Sequence, residues 1–124
     1  MNRSVNDFLI HEIEEAHKNI DRIQNHMDHD HSVHISGQET LLAIQQEHLD
    51  MIEQLQDQVH NYDDLVEICR DNIVKNEELH SKIAYRDSPI HSQPSAEWWS
   101  TLHLIQFWGD MLDRVHNWQS RYAS

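Results

Sequence analysis

Residues 23–69 contain no lysine or arginine, 47 positions bounded by Arg22 and Arg70. A stretch without a cation cannot grip a phosphate backbone or an anionic lipid surface, so direct nucleic-acid or membrane binding is not expected of it. Cysteine occurs once, as Cys69, which excludes an intramolecular disulfide framework and fits a reducing compartment. Cys69 reads as a small buried helix residue rather than a reactive thiol, because only Arg70 stands near it as a cation. Glycine and proline occur twice each, as Gly37, Gly109, Pro89 and Pro94. So few helix breakers point to an all-helical chain. Long hydrophobic runs are missing as well. The stretch from Trp98 to Gly109 is the longest uncharged apolar-rich one, far short of the roughly 20 residues a bilayer needs. No apolar core of signal-peptide type stands near the N-terminus. A cytoplasmic protein is the expectation.

What fills the basic-free stretch is acid and imidazole. It holds Asp28, Asp30, Glu39, Glu47, Asp50, Glu53, Asp57, Asp63, Asp64 and Glu67, with six histidines. The formal net charge of the 124 residues is −13 with histidine neutral. Protonation of all 12 histidines would bring it near −1, so solubility and self-association should depend on pH. Hydrophobic residues make up 38%, below the roughly 45–50% of an average globular chain. A single small domain over 1–124 with so lean a core would be marginal, which points to a homodimer or an obligate partner.

Apolar spacing supplies the helices. Leu9, Ile13, Ala16, Ile20, Ile23 and Met27 are separated alternately by four and three residues, a heptad seam. Ser4 with Asp7 reads as its N-terminal cap. The polar, His-rich stretch from Asp28 to Gly37 reads as a loop. Ser36 and Glu39 form a second capping pattern ahead of Leu41, Leu42 and Ile44. Nothing between Gln38 and Tyr85 must stop a helix, and one continuous helix there would reach about 70 Å. The poor helical run His60-Asn61-Tyr62-Asp63-Asp64 favours a break near Asn61 instead. Residues 86–94, with Pro89 and Pro94, read as a linker. The last helix carries the seam Leu104, Trp108, Met111, Val115, Trp118 and Tyr122, and a second row of Trp98, Leu102, Ile105 and Leu112. The helices expected are 4–29, 37–60, 62–85 and 95–122. Together they make an antiparallel helical bundle or coiled coil of three to four helices.

Two constellations suit metals. His26, Asp28, His29, Asp30, His31 and His34 are the densest set of ligand types, and imidazole with carboxylate fits zinc, nickel or copper. A helix end favours histidine through its dipole, but the aspartates oppose that dipole. Glu14-Glu15-Ala16-His17 and Glu77-Glu78-Leu79-His80 each contain Glu-x-x-His, the pattern of di-iron bundles. Here Glu14 and His17 lie beside the seam, and the last helix offers no inward Glu, so a di-iron site is not expected. His48 falls on an apolar stripe and reads as a core or interface histidine.

No phosphate loop and no nucleophile in a recognisable context occur, so an enzyme is not expected. The expectation is an acidic interaction or regulatory protein that meets a partner with a basic surface. The contact residues expected are Glu47, Asp50, Glu53, Asp57, Asp63 and Asp64, with Trp98, Trp108 and Trp118 serving either core or partner. An alternative is a decoy whose carboxylate row resembles a phosphate backbone, as in acidic helical inhibitors of phages and mobile elements. A second alternative is a His/Asp metal-binding bundle.

Overall fold

The computed structural model describes residues 3–29, 35–87 and 95–122, with side chains given outside 26–38 and 87. The described residues form four helices and no strand: α1 (Val5–His29), α2 (Ile35–Gln58), α3 (Tyr62–Asp87) and α4 (Ala96–Tyr122). The all-helical class expected from the scarcity of glycine and proline is therefore what the structure shows.

Local chemistry sets the helix starts. Ser4 N–H donates to Asp7 Oδ2 at 3.0 Å, and Asp7 N–H donates back to Ser4 Oγ at 3.3 Å. This reciprocal box satisfies two of the amides that a first turn leaves without partners. Ser95 caps α4, its Oγ accepting from Trp98 N–H at 3.2 Å. α2 begins at Ile35, so Ser36 lies inside the helix rather than ahead of it. α2 ends at Gln58 and α3 begins at Tyr62. Val59 N–H still donates to Leu55 C=O at 2.9 Å, after which 60 and 61 carry no helix. Asp63 and Asp64 occupy the first turn of α3, where carboxylates favour the positive end of the helix dipole. Gly109 stands in the middle of α4 without interrupting it. The prolines of the expected linker lie outside the described residues.

The chain forms two compact units, residues 3–61 and the region from Tyr62 onward. In the first, α1 packs on α2. The connection 30–34 can span about 17 Å, while α1 is about 37 Å long, so the two helices must run antiparallel. Their core is Val5, Phe8, Leu9, Ala16 and Ile20 from α1, with Leu49, Ile52, Leu55 and Val59 from the other side. Glu12 is buried beside them at 7% exposure.

In the second unit α3 packs on α4. Leu65, Cys69, Asn76 and Ile83 are buried on α3, and Thr101, Phe107, Trp108, Met111, Val115 and Trp118 on α4. Trp108, Met111, Val115 and Trp118 of the expected seam thus line the core, its ends Leu104 and Tyr122 are half-buried, and buried Thr101 lies one further step of three ahead of Leu104. Leu79, from the apolar series of α3, is 47% exposed, with Val74 and Tyr85 also solvent-facing.

Candidate functional site

α2 carries no Lys or Arg over its 24 residues. Glu47, Asp50, Glu53 and Asp57 follow one another at intervals of three, three and four residues, which places them on one side of the helix. Glu39, two turns ahead of Glu47, falls in line with them. All five are exposed. Among the described residues none of the five makes an ion pair. Beside this row the first unit has a shallow groove lined by Ile13, Asp50, Glu53, Gln54, Gln56 and Asp57. Three carboxylates over an apolar Ile13 form a negative channel with one greasy point. A cationic side chain with a long methylene stem fits that chemistry. His48 is half-buried on the side of α2 nearer the core.

Asp63 is exposed and Asp64 half-buried, and they belong to the second unit. They are not part of the α2 row, and their position in the first turn of α3 accounts for them structurally.

The tryptophans divide into two kinds. Trp108 is buried and meets Phe107 edge-on at 5.0 Å. Trp118 is buried, donates Nε1–H to Tyr62 Oη at 2.9 Å and packs on Tyr122 at 4.6 Å. Both are core side chains whose polar edge is satisfied or solvated. Trp98 is half-buried between His80 and Trp99, each 4.8 Å away. Trp99 is 57% exposed. Solvent therefore reaches the Trp98–Trp99 pair. Sequence spacing overlooked Trp99, which sits opposite the seam; its adjacency to Trp98 was the only sign of it.

Asp30, His31 and His34 of the expected metal cluster lie outside the described residues. His26, Asp28 and His29 belong to the backbone of α1, and their side chains lie outside the description too. Among the described residues no group of three or more His, Cys, Asp or Glu side chains could hold a metal ion. Of the two Glu-x-x-His pairs, Glu14 and His17 are exposed on α1. On α3, Glu77 is exposed, while His80 turns to α4 and places Nδ1 2.7 Å from Thr101 Oγ1. The periodicity of α3 gave no sign of this partner, because it comes from 21 residues further along the chain.

Cys69 is fully buried, and burial pushes its thiol up to about 12 against the opposing pull of the Arg114 guanidinium. A neutral, enclosed thiol is a poor nucleophile.

Among the described residues no helix is long and apolar enough to cross a membrane. No protein family, curated protein or solved structure matches this chain.

Proposed function

We propose that this chain is an interaction protein whose acidic α2 face receives a basic surface of another protein. The observation that carries the reading is the row Glu39, Glu47, Asp50, Glu53 and Asp57, exposed on a helix without a cation and unpaired among the described residues. Like charges one turn apart repel, so the row costs stability that a docked cation returns. The groove beside it adds an apolar contact at Ile13. No catalytic step enters this reading, and the cytoplasm is its setting.

The test replaces Glu47, Asp50, Glu53 and Asp57 with Lys. Helicity stays intact, since all four are exposed and Lys is a good helix former. Capture of a basic protein from extracts of the native host should fail with this variant. Capture by the unaltered chain should weaken steeply with ionic strength. Capture that survives the four reversals makes α2 a solubilising surface and moves attention to Trp98 and Trp99.

A second reading concerns assembly. Leu102, Ile105 and Leu112 are half-buried along α4 with Trp98, and a methyl group added at Gly109 would meet nothing within 4 Å. An apolar row bordering open space supports a homodimer built on α4. Light scattering tests it: a particle of twice the 14.8 kDa chain mass is expected.

A further inference from the structure

The second unit holds a histidine whose proton can be located from its surroundings. His80 Nδ1 lies 2.7 Å from Thr101 Oγ1. The same hydroxyl oxygen lies 3.0 Å from the carbonyl oxygens of both Glu97 and Trp98. A threonine has one hydroxyl proton. If that proton pointed at His80, the oxygen lone pairs would face two carbonyl oxygens at hydrogen-bond distance, with only like partial charges between them. Directed at the carbonyls, as helical Thr hydroxyls often are, it leaves the lone pairs free toward the ring. The proton on the short contact then comes from His80. Thr101 is 4% exposed, so water competes little for this bond.

We propose that Thr101 holds His80 as the Nδ1–H tautomer, and that this bond pins α4 in register at the C-terminal end of α3. The opposite end is pinned by Trp118 Nε1–H donating to Tyr62 Oη. Between the two pins the side-chain amides of Asn72 and Asn76 turn back to their own helix. Asn72 donates Nδ2–H to Ile68 C=O at 2.8 Å, and Asn76 donates to Asn72 C=O at 2.7 Å. Apolar contacts between two antiparallel helices discriminate poorly against a slip of one turn. A slip that brought Ile105 to His80 would leave the ring N–H without an acceptor in a half-buried site. Trp98, packed 4.8 Å from the ring, leaves the imidazole little room to turn over and exchange its nitrogens.

Ring-nitrogen NMR on the full 15N-labelled chain at neutral pH tests the assignment. His80 should show a protonated Nδ1 and a bare Nε2, the reverse of the form free histidine prefers. Thr101→Val removes the acceptor while keeping the shape. It should return His80 to the Nε2–H form. It should also speed amide exchange in residues 76–86 and 97–105 about five- to tenfold, the size expected from one lost hydrogen bond. Residues 62–72 and 108–120 should keep their rates. Thr101→Ser, which retains the hydroxyl, should restore both readouts. A protonated Nε2 in the unaltered chain overturns the tautomer. Equal acceleration at both ends, or no acceleration, overturns the pin. If the Val variant does not fold, the unaltered chain and the Ser variant still decide the tautomer.

Discussion

The two helical pairs are built to opposite recipes. Residues 3–61 hold 12 acids against three cations and a single aromatic of the Phe, Trp and Tyr class, Phe8. Residues 62–124 hold 10 acids against six cations and the other eight such aromatics, including all four tryptophans. The first pair is held by Phe8 and aliphatic side chains under a surface with a large excess of acid. The second is held by large rings whose polar edges are tied across the helices, as with Trp118 and Tyr62. The difference shows two ways a lean composition can build a helical pair. One keeps the core plain and leaves the surface charged. The other concentrates burial in few, large side chains.

The largest effect expected is on the ring-built core. Trp118→Ala should cost about 3–5 kcal/mol, because it removes a buried ring and leaves Tyr62 without its donor. Chemical denaturation followed by helical circular dichroism measures it. A loss below about 1 kcal/mol would mean that the second pair does not depend on its rings.

Salt should separate the pairs next. The row from Glu47 to Asp57 contains three like-charge neighbours one turn apart, a repulsion on the order of 1 kcal/mol at low ionic strength. Raising salt at neutral pH should therefore increase amide protection in α2 more than in α3 or α4. Equal gains in both would erase the electrostatic side of the comparison.

A smaller effect of opposite sign is expected at Gly109. Gly109→Ala fits into open space and should stabilise α4 by about 0.5–1 kcal/mol in the monomer. If the α4 face meets a second copy closely at this position, the same change should weaken dimerisation in sedimentation, which sharpens the assembly reading.

The smallest effect at neutral pH belongs to Cys69, and it appears only in base. The unfolded thiol ionises near 9 and the buried one only near 12. The folded state thus holds the proton more tightly. The stability this contributes is complete below pH 9 and is lost as pH climbs from about 9 to about 12. The first pair has no cysteine and lacks this loss. Thiol labelling at pH 8 should proceed only through opening of α3 and α4; immediate labelling would contradict the burial.

Helix class, the α1 cap and the seam of α4 were legible in the chain because each rests on neighbours within one or two turns. Ser4 and Asp7 are three residues apart, and Met111, Val115 and Trp118 repeat on one face whatever packs against them. The acid row of α2 was legible for the same reason, since spacing alone places Glu47, Asp50, Glu53 and Asp57 together. The roles of the tryptophans were not. Trp98 and Trp118 look alike as apolar helix residues, and only the position of α3 decides that one is half-open and the other closed.

By itself, then, the sequence determined what depends on local backbone chemistry and on charge. It determined the helical class, a cap at Ser4, a cation-free α2 and a large excess of acid. Only the tertiary structure decided which side chains meet across helices. His80 finds Thr101, Tyr62 finds Trp118, and Cys69 loses its solvent. The physical reason is range. Capping and periodicity act over three or four residues, whereas these partners stand 21 and 56 residues apart and meet only when an antiparallel register brings them within hydrogen-bond distance.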